Sequence, residues 1–442
     1  MAFDKGSSQT LPQGTQPYVV SPSGASGNYF ERLDQQRHRW QTNGNLFLPS
    51  RQWHGAHNLS LGFNADSAAF TQQASRNAIE SEDPAGVLRL MTAFSGLDQF
   101  HLSNTQAGGY VQDSWCPMRP FVLQTGARVD WNGVIGRTLP APRFAANYIP
   151  FADDRAKLTM AWGVYYQPVD LSLLGLGYDQ SRVDLVNPAN GGMGGGTPAL
   201  EGPFVSRFVV PGSLRQPRFR TASAGWEQRI GSSTFVTVRA ILRRERSGLA
   251  YQFLPSRSGF GGEFLLQNNQ RDEYRSIEVS LRRSFRKAEV FADYIRSRAR
   301  SNQALDYTLG NPLFAPQLPG ALPWDAPNRF LSYGWMPAPI WNLLLSYHFE
   351  CRTGFPFGLL SSYQQLVSSP DRLRFPTYLN LDMGIEKRFH FHGHEWAARL
   401  LVVNMTGHQN PDTVTNIAGR PIVFAGGQGR AFTARLRLVG RK

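Results

Sequence analysis

The segment from Ser276 to Arg286 keeps a strict two-residue period. Ile277, Val279, Leu281, Arg283 and Phe285 share one face, while Ser276, Glu278, Ser280, Arg282, Ser284 and Arg286 share the other. A period of two is that of a β-strand, whose successive side chains point to opposite faces. The pattern recurs from Leu379 to Phe391. There Leu379, Leu381, Met383, Ile385, Phe389 and Phe391, broken only by Lys387, oppose Asn380, Asp382, Gly384, Glu386, Arg388 and His390. From Trp341, Leu343, Leu345, Tyr347 and Phe349 oppose Asn342, Ser346, His348 and Glu350; near the end, Phe432, Ala434, Leu436 and Leu438 oppose Thr433, Arg435 and Arg437. Strands of soluble proteins average about 5 to 6 residues. A run of about ten alternating residues can cross a bilayer at a tilt. A soluble sandwich gives the same alternation over shorter stretches. Length therefore favours an all-β fold: an antiparallel transmembrane β-barrel of the outer-membrane type.

Composition removes the competitors. Aromatic residues make up 12% of the chain, too many for a disordered segment. Only 18% of residues are charged, against roughly 25% in ordinary soluble domains. No apolar run approaches the ~18 residues of a membrane-spanning helix. The net charge is +14, with 41 Arg and 5 Lys. The basic residues form no long run and no recognition motif, so they read as charge spread along strands, with no nucleic-acid partner. Cys116 and Cys351 read as two lone thiols rather than a disulfide. The first residues, Met1 to Tyr18, have no charged start followed by an apolar core, so no secretory signal is read there.

Residues 1–27 are rich in Ser, Gly, Pro and Gln and read as a flexible tail or loop; 28–442 read as a partial barrel. About sixteen strands are expected. They begin near Tyr29, Leu59, Val87, Leu102, Phe121, Arg143, Leu158, Arg218, Phe235, Ser276, Ala288, Asn328, Trp341, Leu379, Trp396 and Phe432. Arg286-Lys287 and His392-Gly393 are tight turns, whereas Asp170 to Gln216 and Ser301 to Pro327 are long connections. Short turns on one side and long loops on the other are the arrangement of outer-membrane barrels. It predicts that both long connections are extracellular and the most mobile parts. The glycine-rich stretch from Asn187 to Thr197 does not follow a strand and open a helix, so it is no phosphate-binding loop. Tyr110, Trp115, Trp131, Tyr165, Tyr166, Trp335, Trp341 and Trp396 lie near strand ends, where amphipathic rings suit the membrane interface.

Little chemistry is encoded. His390, His392 and His394 have the spacing of ligands on one strand face, but His392-Gly393 falls in a turn, which splays them. Adjacent acids such as Asp272-Glu273 point to opposite faces and cannot act together on one substrate. No catalytic constellation, metal site or cofactor motif is present. The residues that could touch a transported substrate are polar-face charges: Glu278, Arg282, Asp382, Glu386 and Arg388. Cross-strand ion pairing is their structural alternative.

Several stretches resemble the TonB-dependent outer-membrane receptors of the Oar-like branch found in Acidobacteria. They begin with Gly109-Tyr110-Val111-Gln112-Asp113-Ser114-Trp115, Gly126-Ala127-Arg128-Val129-Asp130, Ala141-Pro142-Arg143-Phe144 and Trp162-Gly163-Val164-Tyr165-Tyr166. Arg352-Thr353-Gly354-Phe355-Pro356-Phe357, Arg374-Phe375-Pro376 and Leu381-Asp382-Met383-Gly384-Ile385-Glu386-Lys387 follow. Val403-Asn404-Met405-Thr406, Asn410-Pro411 and Phe432-Thr433-Ala434-Arg435-Leu436-Arg437 complete the series. The resemblance implies a 22-stranded barrel, closed by a plug, that imports an unidentified substrate with energy from the TonB complex. Against that pattern, the chain reads as a C-terminal portion lacking signal peptide and plug, with outer-membrane lipid as its surroundings. It ends in Gly440-Arg441-Lys442 rather than the terminal aromatic common to outer-membrane proteins. A passive porin-like channel and a soluble all-β binding protein are the other readings.

Overall fold

The computed structural model describes residues 2–9, 14, 16–21, 24–83, 85–187, 200–257, 261–303, 318–361 and 366–441. The glycine run that follows Asn187 lies outside them.

Sixteen long strands make one continuous antiparallel wall. They are β1 (Ala2–Gln9), β2 (Glu31–Phe47), β3 (Ala56–Arg76), β4 (Gln99–Met118), β5 (Phe121–Asn132), β6 (Arg137–Tyr148), β7 (Ala156–Tyr166) and β8 (Arg218–Ile230), then β9 (Thr234–Arg246), β10 (Asp272–Phe285), β11 (Ala288–Ser301), β12 (Asn328–Pro337), β13 (Leu343–Arg352), β14 (Tyr378–Phe391), β15 (His394–Val403) and β16 (Ala431–Arg441). Each pairs with the next in sequence, from β1–β2 through β15–β16. Among the described residues β1 and β16 pair with no further wall strand, so the sheet has two free edges.

The connections alternate in length, as the sequence pattern predicted. At one end all are short, including Met118 to Phe121, Ile230 to Thr234, Phe285 to Ala288 and Phe391 to His394. At the other end all are long except Asn132 to Arg137. Arg286 and His392 adopt positive φ, +53° and +50°, in two of the tight turns.

Two expectations are corrected. The segment 1–27 is not a tail: Ala2–Gln9 is a wall strand, in register with β2 from Ala2↔Gln41 to Gln9↔Asp34. Its Ser- and Gln-rich sequence lacks the apolar half of the alternation. Conversely, the strand near Val87, Leu88–Ser95, is not in the wall. It belongs to a second, eight-stranded sheet that we call the cap.

Four long connections give two strands each to the cap. They are Tyr18–Ser21 with Gly24–Gly27, Ile79–Glu82 with Leu88–Ser95, Ser181–Val186 with Glu201–Val209, and Gly248–Pro255 with Gly262–Gln270. Two of the pairings are parallel, which hairpins alone cannot make, and these join strands from different connections. The connection Asp170 to Gln216, predicted to be a long and mobile extracellular loop, contains among its described residues a short helix (Leu171–Gly175) and two cap strands. The cap has its own apolar core of Leu171, Leu174, Phe208, Tyr251, Phe264 and Leu266, which reaches down to Phe70 of β3.

The wall buries the opposite side of its alternation. On β10, Ile277 is 56% exposed and Val279 40%, while Glu278 and Ser280 between them are only part-exposed. Register carries this apolar face from strand to strand: Val238↔Val279↔Tyr294, and Tyr347↔Met383↔Val402↔Phe432. Exposed apolar residues alternating with sheltered polar ones are the reverse of a water-soluble sheet, and fit a lipid-facing surface.

Candidate functional site: the polar face and the cavities beneath the cap

The polar face of the wall is laced with ion pairs. Arg39 bridges Asp66 at 2.7 Å, Arg128 bridges Asp130 at 2.6 Å, and Arg329 bridges Glu350 at 2.9 Å. A Cβ at Gly108 would press on the Asp130 carboxylate and the Arg128 guanidinium, so the Arg128–Asp130 pair occupies space that this glycine leaves open.

The five candidate residues all sit on this face, on two strands. Ser276 donates to Glu278 Oε1 (3.1 Å), and Arg282 Nε lies 2.5 Å from Glu289 Oε1 with its guanidinium over the Phe291 ring. Asp382 Oδ1 accepts from Asn380 (3.0 Å) and from the Asn404 backbone N–H (2.9 Å). Glu386 takes Arg388 (3.3 Å) and Arg437 (3.8 Å). Strands β11, β12 and β13 stand between the two groups, so they do not form one cluster. Each candidate already has an intramolecular partner. Exposure separates them: the Arg282 and Arg388 side chains are each 55% exposed, against 14% for Glu386.

Two cavities lie where wall meets cap. One, of about 810 Å³, is lined by Tyr18, Tyr29, Phe30, Arg76, Asp179 and Arg182 among others. Arg76 closes its floor: it is 2% exposed and bridges Asp179 (2.7 Å) and Glu31 (2.8 Å). The other, of about 500 Å³, is lined by Phe219, Arg243, Glu245, Asp272, Tyr274 and Trp324 among others. Gln270 donates to Asp272 Oδ2 (2.9 Å), while Asp272 Oδ1 is buried without a hydrogen-bond partner among the described residues. Aromatic walls with a few charged groups suit an amphiphilic small molecule. Sequence reasoning missed Arg76, Asp179 and Glu245: Arg76 and Asp179 meet only when the connection after β7 folds back over β3, and Glu245 is a lone acid within an arginine-rich strand. Only the adjacent pair Asp272-Glu273 was legible: both border this cavity, and Glu273 is held by Arg244 and Arg275.

Among the described residues no three His, Cys, Asp or Glu side chains converge. His392 lies in the turn, and His394 donates from Nδ1 to its carbonyl (2.8 Å), so the three-histidine set is splayed. Cys116 and Cys351 are free thiols on β4 and β13.

The Tyr110–Trp115 stretch builds a cluster near the short-turn end. Asp113 bridges His57 (2.7 Å), the His57 ring stacks on Trp115, and Trp115 donates to the His54 carbonyl (3.0 Å). A family model described as TonB dependent receptor-like, beta-barrel matches residues 4–405. The chain belongs to this family. Its members are transporters, not enzymes. No curated protein sequence matches the chain. Solved structures share the fold at low identity. The outer membrane transporter YddB from Escherichia coli superposes with a TM-score of 0.67 at 13% identity, covering 98% of this chain and 59% of that one. The ferric enterobactin receptor PfeA from Pseudomonas aeruginosa gives 0.60 at 12%, covering 98% and 58%. The pyoverdine receptor FpvA from Pseudomonas aeruginosa gives 0.62 at 11%, covering 94% and 55%. The chain thus spans under three-fifths of the length of these receptors.

Proposed function

We propose that this chain is a large part of the barrel of an Oar-like TonB-dependent receptor in the outer membrane, for energy-dependent uptake of a substrate of unidentified class. Further strands join β1 and β16 and close the wall, and a plug connects the lumen to the TonB complex. The observation that carries this reading is the pair of free edges on a sheet whose apolar face is exposed. Each unpaired backbone group in hydrocarbon costs several kcal/mol, so such a wall must be closed before it can sit in lipid. The long-connection end faces outward, and substrate enters through the cavities beneath the cap. Arg282 and Arg388, the most exposed of the five lumen candidates, meet substrate or plug, while Glu278, Asp382 and Glu386 hold the polar lining together.

The test is to express residues 1–442 behind an added signal peptide. Without further strands this product should neither assemble stably in the outer membrane nor support energised uptake. Energy-dependent uptake by residues 1–442 alone would overturn the reading.

A further inference from the structure

The apolar face of the wall changes character abruptly at the long-connection end of four neighbouring strands. Register fixes the sequence of levels on this face. Trp226, Val238, Val279 and Tyr294 form one row across β8–β11, and Ala224, Ala240, Ile277 and Arg296 form the next. Above them come Ala222, Leu242, Arg275 and Arg298, then Arg220, Arg244, Glu273 and Arg300, with Arg218 beside Arg246 at the top. Eight arginines thus stand directly over an apolar band, with one carboxylate, Glu273, in their midst. Arg244 and Arg275 share that carboxylate, at 2.7 and 2.6 Å.

Loops deepen the patch into an open cleft of about 650 Å³, lined by Arg275, Arg296, Arg298, Arg300, Asp371 and Arg374 among others. Its acids are partly spent: Asp325 holds Arg374 at 2.6 Å, and Asp371 lies 3.7 Å from Arg300. Arg298 has no carboxylate partner among the described residues, and Arg296 meets only the Asn328 amide oxygen (2.7 Å). The same face at the long-connection ends of β2–β4 carries far less charge, one cation against one carboxylate: its rows are His38, Ala69 and Ser103, then Gln36, Thr71 and His101, then Asp34, Gln73 and Gln99, with Arg32 beside Ser75. Ordinary interface anchoring calls for scattered cations all round a barrel, not eight on four strands.

We propose that this cleft binds the phosphates of a lipid headgroup in the leaflet on the long-connection side. The inference rests on the membrane-barrel reading. Arginine forks match phosphate oxygens in pairs. An occupant anchored at this height must have acyl chains that lie along Val238, Val279 and Tyr294 and a headgroup carrying more than one negative charge. Continuity of the apolar band with the basic patch selects a lipid over a soluble anion, and the surplus of positive charge selects a multiply phosphorylated headgroup over a zwitterionic one.

The test uses full-length protein purified in detergent and two probes, a bis-phosphorylated glycolipid (lipid A) and the same glycolipid with both phosphates removed. Bound lipid is counted by native mass spectrometry. The phosphorylated form should be retained and the dephosphorylated form should not. Arg296→Gln/Arg298→Gln should weaken retention by about fivefold per charge, about 25-fold together. Arg283→Gln, on the same face at the short-turn end, should leave it unchanged. Strand content by circular dichroism confirms folding, and Arg298→Gln alone serves if the double variant is impaired. Equal retention of both glycolipids, or no effect of the double variant, overturns the proposal while leaving the receptor reading intact. Displacement by inorganic phosphate at a concentration equal to that of the lipid also overturns it, because the cleft would then be a soluble-anion site. A protein that does not partition into detergent micelles at all would instead sink the barrel reading beneath it.

Discussion

Wall and cap are both alternating β-sheets, yet they treat the alternation in opposite ways. In the cap, Leu266 and Phe264 are 0% and 1% exposed. In the wall, Phe432 and Leu400 are 77% and 63% exposed, while Arg437, on the opposite side of the same strand as Phe432, pairs with Glu386. The same period of two therefore serves two solvents. Which side of a strand is buried depends on what lies beyond the sheet: water around the cap, hydrocarbon around the wall. The seam between the two regions combines the apolar contact at Phe70 with a buried ion-pair knot centred on Arg76.

The largest expected effect comes from cutting that seam. Arg76→Ala leaves the Asp179 carboxylate buried without its partner, and such a break costs about 3–5 kcal/mol. Hydrogen exchange should then speed up across Leu171–Gly175 and Ser181–Val186, while β3–β5 keep their protection. Equal loss of protection in the wall would show that the two regions are one cooperative unit.

A paired truncation tests the opposite solvents directly. Phe264→Ala empties a cap core site and should destabilise the cap by about 3–5 kcal/mol. Phe432→Ala removes the same ring from an exposed position and only exchanges ring–lipid contact for lipid, which is as apolar as the side chain. Its effect should be far smaller, read by urea unfolding in detergent. Similar losses at both positions would break the comparison.

A smaller effect is expected from placing charge on the apolar face. Leu281→Arg should cost roughly 2–4 kcal/mol at the membrane midplane. The neighbouring Ser280→Arg, on the polar face, should be nearly silent. Cysteines at 277, 279 and 281 should resist a membrane-impermeant thiol reagent, whereas those at 278 and 280 should react. Uniform reactivity would remove the lipid-face assignment.

The wall was legible in the sequence because lipid enforces the alternation over whole strands: Ile277, Val279 and Leu281 fall on the exposed face as expected. The strand Ala2–Gln9 escaped because its Phe3, Lys5, Ser7 and Gln9 carry no apolar period, so only its pairing with β2 defines it. The cap escaped for a different reason. Its strands are short, and its parallel pairings, such as Ser206↔Gly262, join segments from separate connections. No local pattern encodes that meeting. The five candidates lie on the polar side of their strands, and the partners of Arg282 and Glu386 depend on register with Glu289 and Arg437, which periodicity does not supply.

The mildest test separates the regions by acid. Asp83 sits in the cap turn between Ile79–Glu82 and Leu88–Ser95. Its carboxylate accepts from the backbone N–H groups of Val87 (3.0 Å) and Ala85 (2.9 Å) and bridges Arg89 at 2.7 Å. The Val87 hydrogen bond, followed by that from Arg89, holds its pKa below the usual carboxylate value. The sign follows from linkage: a depressed folded pKa contributes stability that is fully present above the unfolded value, about 3.9, and is lost as pH falls through the folded one. Acidification below about pH 4 should therefore accelerate exchange of the Val87 amide before it touches the wall turns at Arg286 or His392. Asp83→Asn keeps an acceptor but removes the charge, so it should abolish the pH dependence at Val87 and leave a uniformly looser turn. Persistence of that dependence in Asp83→Asn would assign the acid response to another group in the cap, and the turn would no longer distinguish cap from wall.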